Sequence, residues 1–291
     1  MKPLSKTKRR GYLIFFAIVF LIGTPLFILD AKGYRLNWSG VLKISQTGGL
    51  YISTDQSGME IYVNNELVRR TSIVQKSIYV SDLKPALYEI RVAKEGMHPW
   101  NKMLEVFPEI VTEARSFLVR SKPLLVEVPR YFDAQRGIAT SSARSDYVKN
   151  PEFEALNILF LPPAVKTIPI GKATTSPDKT LIGLLIKNEA GKLLVTWAGS
   201  KDSIPNYFCE SDVCKSMITI STASRILSFD FFPGRDDLLL LQLENGIYVS
   251  EIDDRSPQNV MPIVSGLGYD FKVKDGRIYI KKDGKIYLVS V

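Results

Sequence analysis

Between Arg10 and Asp30 the chain carries 19 residues without a charged side chain, GYLIFFAIVFLIGTPLFIL, spanning residues 11–29. As a helix this run is about 28 Å long, close to the thickness of a hydrocarbon core. The flanks give it a direction. Lys2, Lys6, Lys8, Arg9 and Arg10 precede it with no acidic residue among the first ten, whereas Asp30, Lys32 and Arg35 follow as a near-neutral mix. The positive-inside rule therefore predicts a cytoplasmic basic tail (1–10), a transmembrane helix (11–29) and residues 30–291 outside the cytoplasm. A cleaved signal peptide is the rival reading; it would have an apolar core of roughly 7–15 residues ending at a small-x-small site. The longer run, ending Leu26-Phe27-Ile28-Leu29-Asp30, favours an uncleaved single-pass anchor in the cytoplasmic membrane. A buried core helix is a third, weaker reading. Gly23 and Pro25 either kink the span near its outer end or mark its boundary.

The formal charge of +8 invites a nucleic-acid partner, but five of the positive charges lie in residues 1–10 and leave 8 − 5 = +3 for the rest. That remainder is too dilute for a phosphate footprint, so nucleic acid is excluded as a partner. Cys209 and Cys214 are separated by four residues. Outside the cytoplasm such a pair is expected to form a disulfide. A structural zinc site needs four nitrogen or sulfur donors, and the chain has one histidine, His98, so no metal site and no cofactor are expected. Asn37-Trp38-Ser39 matches an N-glycosylation triplet, a pattern common by chance.

Residues 30–47 read as a juxtamembrane linker, with Tyr34 and Trp38 suited to a membrane interface. Residues 48–120 are built of short alternating runs bounded by turn residues. In Leu87-Tyr88-Glu89-Ile90-Arg91-Val92, for example, Tyr88, Ile90 and Val92 share one face. Such runs at about ten-residue spacing predict a small antiparallel β-sandwich. Several of its segments also carry a family resemblance. Ser57-Gly58, Ile61-Tyr62-Val63-Asn64-Asn65, Leu83-Lys84-Pro85-Ala86-Leu87-Tyr88-Glu89-Ile90 and Lys94-Glu95-Gly96-Met97 together resemble a PEGA domain, a small extracytoplasmic β-sandwich module. The naming motif departs from the family, reading Pro-Ala-Leu-Tyr, and Gly96-Met97 replaces its Gly-Tyr. The resemblance implies a scaffold and names no catalytic residue.

Residues 121–150, punctuated by Pro123 and Pro129, read as a connector. Residues 151–291 repeat a pattern of turn, strand, tight hairpin and strand. One unit starts at Thr175-Ser176-Pro177-Asp178-Lys179, a second at Phe231-Phe232-Pro233-Gly234-Arg235, and a last one is built on Asp275-Gly276 and Asp283-Gly284. These hairpin signals, with the Ser-Pro-Asp turn, resemble the blades of WD-repeat-like and Tol-Pal-type β-propellers. About three blades fit where a closed ring needs four. The predicted fold is therefore mainly β: one transmembrane helix, a PEGA-like sandwich and a propeller-like region. That region is open, or completed by a diverged blade or a homo-oligomer; an ordinary β-sandwich with hairpins is the plainer reading.

Catalytic signatures are missing from the sequence. It contains no nucleophile elbow, zincin motif, Walker loop or dinucleotide fingerprint. His98 lacks a matched nucleophile and acid and reads as a loop residue. Asp230, Asp236, Asp237, Asp253 and Asp254 are the carboxylates that could converge as an acid/base pair, though their turn positions favour plain solvation. Trp100 and Trp197 are candidate surface anchors, or core residues. The favoured expectation is a non-enzymatic envelope scaffold contacting a protein or cell-wall glycan. The alternative is an extracytoplasmic hydrolase of wall glycan or peptide.

Overall fold

The computed structural model describes residues 6–31, 34–37, 43–133, 139–142, 147–161, 179–181, 183–211 and 213–290. Residues 1–5, the Ser176-Pro177-Asp178 turn and Trp38-Ser39 lie outside them. Helix α1 (Lys6–Ala31) runs through Pro25 without a break, so Gly23 and Pro25 do not end it. Its apolar window has a mean hydropathy of 2.6, and none of that window is buried against protein. One helix of this length and composition can cross a bilayer or serve as a signal sequence.

Nine strands follow: β1 (Tyr34–Asn37), β2 (Lys43–Gln46), β3 (Gly48–Ser53), β4 (Glu60–Val63), β5 (Glu66–Arg70), β6 (Ser77–Leu83), β7 (Ala86–Ala93), β8 (Trp100–Val106) and β9 (Val111–Arg115). After the β1–β2 hairpin, the others form two sheets in the orders β6-β3-β9 and β5-β4-β7-β8. Alternation decides which faces meet. Ile90 and Val92 of β7 and Leu50 and Ile52 of β3 are buried, while Glu89, Arg91 and Tyr51 between them face out. One pairing departs from the antiparallel expectation: β9 runs parallel to β3. The chain leaves β8, crosses between sheets at residues 107–110 and returns in the direction of β3. Gly48 permits that crossing, because a Cβ there would sit 2.1 Å from the Phe107 carbonyl oxygen.

The remaining elements are β10 (Leu124–Glu127), β11 (Tyr131–Asp133), β12 (Ala139–Thr140), β13 (Tyr147–Lys149), α2 (Pro151–Leu159), β14 (Lys179–Leu181), β15 (Leu184–Glu189), β16 (Lys192–Trp197), β17 (Cys209–Glu210), β18 (Val213–Cys214), β19 (Met217–Ile220), β20 (Ile226–Phe231), β21 (Leu238–Leu243), β22 (Gly246–Glu251), β23 (Val260–Ser265), β24 (Asp270–Lys274), β25 (Arg277–Lys282) and β26 (Lys285–Ser290). Three four-stranded antiparallel sheets result, ordered β14-β15-β16-β19, β20-β21-β22-β23 and β10-β26-β25-β24. Strand β10, from the stretch read as a connector, therefore joins the last sheet of the chain. The described residues form no closed barrel or propeller.

Helix α2 interrupts the otherwise β-rich C-terminal pattern. Asn150 caps it, its side chain accepting from the Glu152 amide at 3.0 Å, and Pro151 opens its first turn. The hairpins match the turn chemistry. Asn64-Asn65, Ala190-Gly191, Asp275-Gly276 and Asp283-Gly284 all have positive φ at both positions, as a type I′ turn requires. The β21–β22 hairpin turns one residue earlier than its Asn245-Gly246 implies, at Glu244-Asn245. Gly246 instead opens β22 beside β23, where a Cβ would meet the Val264 carbonyl oxygen at 2.2 Å.

The middle sheet is the hub. In β21, Leu238 and Leu240 face a core shared with the last sheet and the N-terminal sandwich, through Phe117, Leu118 and Val119. Leu239, Leu241 and Leu243 face a second core with β15, β16 and β19. The N-terminal sandwich is thus fused to the C-terminal sheets by continuous apolar packing.

Candidate functional site

The candidate site is the polar seam where the sandwich meets the loops leaving the hub sheet. It begins with a break in a pattern. Strand β8 turns Trp100, Lys102, Leu104 and Val106 inward, and Lys102 is completely buried. Its ammonium donates to Glu251 Oε1 at 2.5 Å, to the Arg255 carbonyl at 2.7 Å and to the Asp253 carbonyl at 3.1 Å. Glu251, the last residue of β22, also accepts from the Asn259 amide and Asn259 Nδ2, both at 2.7 Å, and from Trp100 Nε1 at 2.9 Å. Burial pushes the Glu251 carboxyl above its ordinary range and nearby Asp253 adds to this; the Lys102 ammonium and the Asn259 amide oppose it. The same loop covers the outer edge of β8. Met103 N donates to the Ser256 carbonyl at 2.7 Å, and Asn259 Nδ2 donates to the Asn101 carbonyl at 2.7 Å.

A second knot lies beside the first. Arg235 forks onto Asp237 at 2.5 and 2.6 Å and reaches Asp55 across the seam. Arg115 pairs with Asp55 at 3.0 Å and approaches Asp236 at 3.7 Å. Burial pushes the Asp55 carboxyl up, but the two guanidiniums outweigh it and hold that carboxyl below the usual range. Arg255 forks onto Asp253 and donates to the Glu113 carbonyl of β9 at 2.9 Å. Burial, with Asp236, Asp237 and Asp253 nearby, pushes the Tyr207 phenol far above its ordinary value.

Two of the hollows beside these knots open along the seam. The larger, about 560 Å³, lies between Met103, Glu105, Phe107 and Val111 of the sandwich and Glu210 and Arg255 of the C-terminal part. The smaller, about 210 Å³, is lined by Tyr207, Arg115, Asp237 and Asp253 among others. The Cys209–Cys214 disulfide is present, closing the β17–β18 hairpin, and Cys209 lines the larger cleft.

Of the acidic residues singled out from sequence, Asp236, Asp237 and Asp253 converge on the seam, while Asp254 pairs with Lys215 at 2.9 Å. Asp230 lies on β20, its carboxylate accepting from the Phe231 amide. Asp237 and Asp253 are not the solvated turn residues expected; both are buried and bound by guanidinium groups. Trp100 is a buried hydrogen-bond donor rather than a surface anchor, and Trp197 is half-buried against the second core. His98 is a half-buried loop residue whose amide donates to the Val119 carbonyl. Sequence reasoning missed Lys102, Arg235, Glu251 and Asn259. The first carried a signal: a lysine in the inward register of an otherwise apolar strand. Among the described residues, no cluster of three histidine, cysteine or acidic side chains is placed to hold a metal ion.

Against known proteins, the PEGA domain family matches residues 47–122, about a quarter of the chain. The segments from Ser57-Gly58 to Gly96-Met97 that carry the resemblance lie within that match. No curated protein matches the chain. Among three matching solved chains is the AfRom2 CNH domain, 11% identical over 88% of this chain and 68% of that one, with a TM-score of 0.26. At that score the likeness carries no argument.

Proposed function

We propose that this protein is a single-pass, membrane-anchored binding or scaffold component of the cell envelope, acting without catalysis. In this reading α1 holds the N-terminus in the cytoplasm and residues 30–291 stand outside. The observation that carries it is the seam. Of the acidic side chains that a hydrolase would draw on, Asp237 and Asp253 are engaged there by Arg235 and Arg255, and with the Lys102–Glu251 pair they weld two β regions into one platform with a cleft along the join. Buried pairs of this kind hold geometry, and a preformed cleft suits a ligand. The basic tail, the long apolar run and the disulfide support the orientation. We read the three C-terminal sheets as propeller-like blades in an open array or one completed by a second copy.

The test is in-cell crosslinking of the full-length protein, paired with an activity screen on wall glycans and peptides. The expected result is specific capture of an envelope protein or glycan and no turnover. Turnover abolished by Glu113→Gln or Asp253→Asn would replace this reading with the hydrolase.

A further inference from the structure

The larger cleft exposes two strand edges on which some backbone groups have no partner among the described residues. In β9, Gly49 N donates to the Ile110 carbonyl at 3.0 Å and Ser116 N donates to the Ser53 carbonyl at 2.9 Å. Even-numbered residues therefore turn their backbone toward β3, and alternation points the backbone of Val111 and Glu113 outward. The Arg255 bond to the Glu113 carbonyl confirms that direction and closes that end of the edge. In β8, Asn101 and Met103 face outward and are covered by Asn259 and Ser256. Glu105 is the next outward residue; its carbonyl accepts from Thr112 Oγ1 at 2.6 Å and its amide is left over. The amides of Glu105, Val111 and Glu113 and the carbonyl of Val111 thus line a cleft of about 560 Å³.

The walls give that edge a chemistry. Leu87, Met103, Phe107 and Val111 are apolar, and Glu105, Glu113 and Glu210 are acidic. The one cation in the lining, Arg255, is bound to Asp253. We propose that this cleft is a strand-addition groove that takes an extended segment of a partner protein in which lysine or arginine alternates with apolar residues. The segment would pair with the Val111 backbone and the Glu113 amide, with its apolar side chains against Phe107 and Met103 and its basic ones toward the three glutamates. This rests on the binding reading above and narrows it to a peptide ligand.

The test uses full-length protein in nanodiscs and two capped heptapeptides as probes, one alternating lysine with valine, the other glutamate with valine. The expected result is that the lysine probe slows hydrogen exchange across residues 105–113, more strongly at low salt, and that the glutamate probe does not. Val111→Pro removes an outward amide but no bond to β3, so it should weaken the lysine probe at least tenfold while the unfolding midpoint holds. Glu105→Lys combined with Glu113→Lys should do the same, and decides the matter if the proline variant misfolds. An absent lysine-probe footprint, a footprint elsewhere, or full binding by the charge-reversed variant overturns the groove. In cells, a photo-crosslinker at Val111 is compared with one at the exposed Leu267. A basic extended segment mapped at Val111 supports the groove. A partner trapped only at Leu267 leaves the binding reading standing and removes the groove. Glycan or a second copy at Val111 removes the peptide ligand, and capture at neither position counts against both.

Discussion

The PEGA-like sandwich and the hub sheet are both made of short strands, yet they bury their residues differently. In β7 burial alternates, with Ile90 and Val92 inside and Leu87, Glu89 and Arg91 outside. In β21 five of six residues are buried, because the strand has a core on each face. A sheet with one wet face writes its orientation into the sequence with a period of two, whereas a sheet covered on both sides writes only apolarity. The first kind can be recognised as a module. The second shows only that something must cover it.

The largest effect should come from the seam that joins the two. Lys102→Ala or Glu251→Ala leaves the other charge buried alone and should cost about 3–5 kcal/mol in equilibrium urea unfolding. Lys102→Met combined with Glu251→Leu should recover much of that loss. If the single variants unfold like wild type, the pair is not what joins the halves.

The two-faced hub comes next. Leu240→Ala and Leu241→Ala, adjacent in sequence, should each cost about 2–5 kcal/mol. In β7, Ile90→Ala should fall in that range while Arg91→Ala stays below about 1 kcal/mol, since its exposed stacking over Tyr62 is weak. A small loss at Leu241 would make the hub one-faced like β7 and erase the contrast.

Removing both Cys209 and Cys214 should cost under about 3 kcal/mol, the value for a 15-residue loop, because only four residues intervene. The same cysteines test the topology. In freshly extracted protein they should resist a thiol probe until reduced, and reactive thiols would argue against an oxidising compartment.

The smallest effect is a change of slope. The folded-state pKa of Asp55 lies below the ordinary carboxylate value, so its contribution is present above about pH 4 and is lost as pH falls through the depressed folded value. Unfolding midpoints followed from pH 6 down to 2.5 should therefore decline less steeply in Asp55→Asn than in wild type. An unchanged slope would detach Asp55 from the seam's stability.

Much of the N-terminal half was legible in the residues. Alternation in β7 placed its inward face, and Asn64-Asn65 marked a turn that forms with both φ angles positive. Local chemistry suffices there, because turn geometry and one-sided burial act over a few residues. Helix α2 was missed although Asn150-Pro151 announces it: nine residues inside a β-rich stretch carry too little periodicity to stand out. The seam was out of reach for another reason. Lys102 and Glu251 are 149 positions apart, and neither shows its partner locally. Their meeting depends on how two separately built β bodies dock.

By itself, then, the sequence determined the apolar span, the strand periodicity, the tight turns and a disulfide whose cysteines are near neighbours. All of these follow from interactions over a few residues or from transfer between water and an apolar medium. Only the tertiary structure decided that β9 lies parallel to β3, that β10 completes the last sheet, and that the turn carboxylates Asp237 and Asp253 are buried ion partners. Those outcomes depend on apolar packing and charge desolvation across elements distant in the chain, which no local pattern encodes.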